Sequence, residues 1–188
     1  VSRTPVHDTF TRLSREKLVD VIPQRGAFVS RIDSERIEHA IWLHTRLGTS
    51  MLHTIFIKNV KKSDLEVLYY HLRQLDDYLY QGNLNQAPKL LTDYYHQLYI
   101  LAGDMDLVWE SLQKVDMQRL LYLATSSSAM VEGFLCELTN LTDALADRNN
   151  DQACLIYSHH MSRMLLLVPP LKQHNPEYFI CGSTDAAS

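Results

Sequence analysis

The sequence predicts an all-α antiparallel bundle of about six helices, preceded by a single helix and a small β-hairpin. Three observations predict this. From Asp33 to Leu167 apolar residues recur at helical spacing with short interruptions. Near the start, two β-rich runs, Leu18-Val19-Asp20-Val21-Ile22 and Ala27-Phe28-Val29-Ser30, flank the turn Pro23-Gln24-Arg25-Gly26. The 188 residues are 46% apolar and 21% charged, enough for one good-sized core and a small appendage, which excludes overall disorder.

The elements follow in order. Ser2 and Thr4 are N-cap candidates, and Pro5 suits a first helical turn, where its missing N–H costs nothing. Val6, Phe10 and Leu13 continue that helix. A helix followed by a hairpin is the latter half of a winged helix, so residues 1–31 read as a partial winged helix-turn-helix. Residues 32–168 form the helical domain. Asp33 or Ser34 caps a helix to about Lys58, and Ser63 caps a second to about Tyr80, stopped by Gly82. A third runs from Asn83 to Ala102 with Pro88 near its first turn, and a fourth from Asp104 to about Ala124. After the loop Thr125-Ser126-Ser127-Ser128, a fifth covers Ala129 to Asp147 and a sixth Asn149 to Leu167. Pro169-Pro170 ends the last one, and 169–188 are a C-terminal tail that frays or docks through Tyr178-Phe179-Ile180.

Charge is unevenly placed. In residues 1–30, Arg3, Arg12, Arg15, Lys17 and Arg25 oppose Asp8, Glu16 and Asp20 for a net +2, within a chain of net −4. A basic head on an acidic body suits a protein that meets phosphates at one end. Cys136, Cys154 and Cys181 show no CxxC spacing and read as reduced thiols of a cytoplasmic protein. The longest apolar stretch, Met164 to Pro170, is too short to span a bilayer.

Val1-Ser2-Arg3-Thr4-Pro5-Val6, then Leu13, Leu18-Val19 and Pro23-Gln24-Arg25-Gly26-Ala27-Phe28-Val29, resembles the recognition helix and wing of GntR-superfamily transcription regulators. The helical part resembles the effector domain of the FadR type (the FCD domain): Tyr95-His96 stands where that family has Phe-His, and Ala102-Gly103-Asp104 where it has Ala-Gly-Asn. Three positions depart from the head pattern: His7 replaces an Arg, Asp8 its acidic neighbour, and Lys17 a Gly. The resemblance implies a chain lacking the first two helices of its winged domain. It implies a homodimer on operator DNA, and contact with that DNA through Ser2, Arg3, Thr4, His7, Arg25 and Gly26. Arg12 and Arg15 read as plain surface.

The bundle carries a second set of candidates. His160 lies on the stripe Ala153, Ile156, His160, Met164, Leu167 and should point inward, where an imidazole needs a partner. Asp93 and His96 share a helical face. The resemblance implies a divalent metal (Zn, Ni or Mn) held by Asp93, His96 and His160, although two of the four family ligand slots are altered, to Thr92 and Leu138. Without a metal, His96 and His160 read as hydrogen-bonded core residues. Arg119, His96, His160 and Tyr99 are the candidate effector contacts, Arg119 pairing a small organic acid or else a bundle carboxylate. Gly48, inside the first bundle helix, costs about 1 kcal/mol against Ala with no visible return.

Two classes of function follow. The first is a non-enzymatic, ligand-responsive regulator that binds operator DNA and senses a small carboxylate effector in its bundle. The second is a metal-dependent enzyme on the same scaffold; against it, no HExxH, paired ExxH or nucleophile–base grouping occurs.

Overall fold

Helix α1, Arg3–Arg15, opens the computed structural model, which describes residues 3–180, with side chains from Val6 onward. Ser2 and Cys181 lie outside the described residues, as do the side chains of Arg3 and Thr4. A left-handed turn ends α1: Lys17 N–H donates to Ser14 at 3.0 Å and Leu18 N–H to Leu13 at 2.9 Å. That pair of bonds is the Schellman closure, whose pivot residue needs positive φ. Lys17 is the pivot at φ 60°. The physical reason for a Gly at this position is therefore present, and the lysine adopts the conformation at a small cost.

Strands β1, Val19–Ile22, and β2, Gly26–Val29, pair antiparallel with Val19 opposite Val29 and Ile22 opposite Gly26. Arg25 N–H donates to Ile22 at 3.1 Å and Gln24 sits at φ 64°, which with Pro23 before it is a type II turn. Pro23 and Gln24 form its corner, and Arg25 follows as the last loop residue before β2. Every β2 side chain is exposed, as are Val6, Phe10, Val21 and Ile22. Among the described residues the head has no core of its own; it stands out from the bundle.

The bundle begins with α2, Ser34–Ile57, capped by Asp33, whose carboxylate accepts the Glu35 N–H at 3.0 Å. The further helices are α3 (Glu66–Tyr80), α4 (Ala87–Leu101), α5 (Asp106–Leu112), α6 (Val115–Ala124), α7 (Ser128–Ala146), α8 (Asn150–Leu166) and α9 (Val168–His174). Short 3-10 turns precede α3 and α4. The fold class is the expected one, with two local differences. The expected fourth helix is two, broken at Gln113–Lys114, where Gln113 takes ψ 80°. Pro169-Pro170 does not end the helical region, because the prolines occupy the first turn of α9, where no N–H partner is lost. The chain then returns to the linker before α2. Ile32 N–H donates to Tyr178 at 2.7 Å, Ile180 N–H donates to Ile32 at 2.9 Å, and Phe179 is fully buried. The segment expected to fray or dock is docked as far as Ile180.

Packing of α2 against α8 explains Gly48. A Cβ there would overlap the ring of Tyr157, which is fully buried. The glycine is a close-approach site, and its propensity cost is the condition for seating that ring. We expect Gly48→Ala to lower stability by about 1–3 kcal/mol in urea unfolding, because overpacking outweighs the roughly 1 kcal/mol gained in helix propensity. An equal or higher midpoint would contradict this packing.

Candidate functional site

Two places hold the predicted site residues: the interior between α4, α7 and α8, and the junction of hairpin and bundle. In the interior, α8 places His160 wholly out of solvent. Its Nε2 lies 2.6 Å from the Tyr95 hydroxyl and its Nδ1 2.7 Å from Glu137 Oε2. Each ring nitrogen therefore has one protein partner, a phenol at Nε2 and a carboxylate at Nδ1. Arg163 bonds the other Glu137 oxygen, and Gly133 leaves the space its guanidinium fills. Burial pushes the Glu137 carboxyl up, but the His160 hydrogen bond and the Arg163 charge outweigh it and leave it below its ordinary range. Burial also keeps Tyr95 protonated far above the usual phenol range.

The proposed metal ligands are not brought together. Asp93 pairs with Lys89 on its own helix. His96 turns to Asp106 at 3.1 Å, at the start of α5, and stacks on Trp109 at 5.1 Å between centroids. Both nitrogens of His160 have protein partners. Thr92 bonds back to Pro88 at 2.8 Å, and Leu138 is apolar and buried. Among the described residues no group of three His, Cys, Asp or Glu is placed to hold a metal. The donor set does not fit a divalent ion.

Beside this network lies a small cavity of about 30 Å³, walled by His44, Tyr95, Trp109, Met117, Met161 and Met164, with Gln113, Lys114 and Gln118 also lining it. None of Arg119, His96, His160 and Tyr99 lines it; His160 and His96 stand one layer behind Tyr95 and Trp109. Tyr99 is buried close to Tyr157, and burial pushes its hydroxyl up to about 12. His44, which was not among the candidate site residues, lines the cavity. Its signal is the stripe Ile37, Ile41, His44, Gly48, Met51, Leu52, Ile55, the same logic that turned His160 inward.

At the junction, Arg119 faces away from the cavity. Its Nη1 donates to the Ser30 carbonyl at 2.7 Å and to Ser30 Oγ at 3.1 Å, and its Nη2 to the Leu18 carbonyl at 3.2 Å. Of the DNA-contact candidates, His7, Arg25 and Gly26 are exposed on α1 and the turn. Arg12 is tied to Glu16 at 3.0 Å, as plain surface would be.

His44 gives a pH test. Burial pushes its imidazole down to about 4 from the ordinary 6.5, against a backbone hydrogen bond at Leu112 that acts the other way. The folded state therefore keeps His44 neutral where the unfolded chain takes up a proton. Stability is full above pH 6.5 and declines as pH falls towards 4, by on the order of 3 kcal/mol from this group. In His44→Gln that part of the decline should vanish; identical pH slopes for variant and parent would refute it.

No protein-family model matches the chain. Over 187 residues it is 24% identical to the HTH-type transcriptional repressor RspR of Escherichia coli, covering 95% of this chain and 78% of that protein. Its fold is similar to that of E. coli McbR/YncC, with a TM-score of 0.75 at 17% identity over 93% of this chain and 86% of the other. It is also similar to a GntR family transcriptional regulator from Pseudomonas syringae pv. tomato, with a TM-score of 0.60 at 20% identity over 94% and 73%. The structural likenesses show a shared fold, and the sequence relative is an HTH-type transcriptional repressor.

Proposed function

We propose that this protein is a ligand-responsive transcription regulator of the FadR type, working as a cytoplasmic homodimer on operator DNA. The observation that carries the reading is the exposed head. Helix α1 and the hairpin project from the bundle, with Lys17 and Arg25 in solvent and Arg25 in the loop that joins the strands. Such a helix and wing suit a groove and its flanking phosphates. The described helices include none long and apolar enough to cross a membrane.

The effector site we assign is the cavity beside Tyr95 and His44. Its walls are apolar and aromatic, with Lys114 at the edge, a chemistry that suits an apolar body bearing one carboxylate. At about 30 Å³ it holds a water or two. An organic acid therefore enters only as α5 and α6 part, and the break at Gln113–Lys114 is where they join. A binding event that must move a helix is the differential affinity that switching requires. The metal-dependent enzyme has no observation in its favour, since its three proposed ligands are separately engaged.

The test is DNA binding by the protein to sites selected from random duplexes, across a salt series. We expect affinity to fall steeply with salt, and Arg25→Ala to weaken binding severalfold and reduce the logarithmic salt slope by about 1. Binding indifferent to salt, or an Arg25→Ala protein with parental affinity and slope, overturns the reading.

A further inference from the structure

Helix α6 has two working faces. Met117, Gln118 and Leu121 line the small cavity. Asp116 and Arg119 lie on the opposite side at 100° per residue, and both grip the linker between hairpin and bundle. Arg119 meets the chain where the hairpin closes: Ser30 N–H donates to Leu18 at 3.1 Å, and the guanidinium reaches the carbonyls of both residues. The Ser30 hydroxyl, which also accepts from Arg119, donates to the Lys17 carbonyl. Asp116 holds the other end of the linker. It is 1% exposed, and its Oδ2 lies 3.1 Å from Arg36 Nη1 in the first turn of α2.

The hairpin needs such support. A two-stranded ribbon is marginal in water, and this one buries none of the side chains of β2. Beside the linker, a groove of about 490 Å³ opens between Val29, Arg31, Ile32, Tyr122 and Tyr178. The linker is thus anchored at the buried Ile32 by its pairing with Tyr178 and Ile180, while its hairpin end is held to α6 by the polar contacts at Ser30 and borders open space at Val29 and Arg31.

We propose that Arg119 is a positioning residue, a latch that fixes the hairpin on α6 and carries any movement of that helix to it. A ligand that displaces Met117 or Leu121 moves Arg119 with them, because a helix shifts as a unit. The carbonyls of Leu18 and Ser30 then follow or lose a charge-assisted donor. This physical chain runs from the cavity through one helix to the hairpin base. Its sense as a transmitter rests on the regulator reading; the latch itself does not.

Hydrogen exchange of the protein without DNA tests the latch. In Arg119→Ala, peptides covering residues 18–30 should exchange about tenfold faster, with α2, α7 and α8 unchanged. Arg119→Lys keeps the charge but loses the two-pronged reach, and should fall between. Parental exchange over 18–30 in both variants overturns the proposal. Should the Ala variant unfold throughout, the Lys variant decides: faster exchange confined to 18–30 supports the latch, while a uniform rise or none overturns it. DNA takes no part in this measurement, so the latch and the operator-binding reading can fail separately.

Discussion

A wholly buried imidazole has two ring nitrogens to satisfy and no water to help, and in this bundle that requirement organises the interior. His160 needs a hydrogen-bond partner on each side. Tyr95 on α4 supplies one and Glu137 on α7 the other, so one side chain on α8 fixes its helix against two others. The requirement then passes outward. A buried carboxylate needs a cation, Arg163 provides it, and Gly133 leaves room for the guanidinium. Removing any one member leaves a buried polar group without its partner, which costs more than the bond itself contributes. The same arrangement accounts for the poor fit of a metal: the nitrogens an ion would need are committed to the fold.

The molecule divides accordingly. Helices α4, α7 and α8 are tied by this polar network, and α2 is seated on α8 by the Tyr157 ring in the Gly48 gap. Helices α5 and α6 are different. They are short, separated by a non-helical Gln113–Lys114 link, and border the cavity. His96 anchors α5 through Asp106 and Trp109 near the surface, and the buried Asp116 ties α6 to Arg36 of α2.

Much of the architecture was legible from periodicity. The cap at Asp33, the hairpin turn and the inward aim of His160 follow from rules that act within a few residues. What escaped obeys longer-range constraints. Nothing at Gln113–Lys114 signals a break, because neither residue disfavours a helix strongly; the chain turns there to pack. Pro169-Pro170 is ambiguous in principle, as proline both stops one helix and starts the next. Gly48 looked costly because its partner, Tyr157, is 109 residues away, a separation read directly from the numbering. Arg119, expected to pair an organic acid or a bundle carboxylate, instead meets the carbonyls of Leu18 and Ser30, on an element whose placement no spacing rule reveals.

The choice of acceptors at Arg119 also constrains how the protein responds to its surroundings. Both carbonyls are groups that never titrate, and a guanidinium stays charged at any physiological pH. Within the cavity, His44 stays neutral until about pH 4. Near neutrality, neither the contact that holds the hairpin nor the buried histidine beside the cavity changes charge. A protonation switch of the kind histidine can provide is therefore not available at His44. What remains to bias α6 is occupancy: a molecule large enough to part α5 from α6 and polar enough to hold its place near Lys114. A cavity that admits only water when closed makes that bias selective, since a ligand too small to displace the helix gains nothing from the wider site.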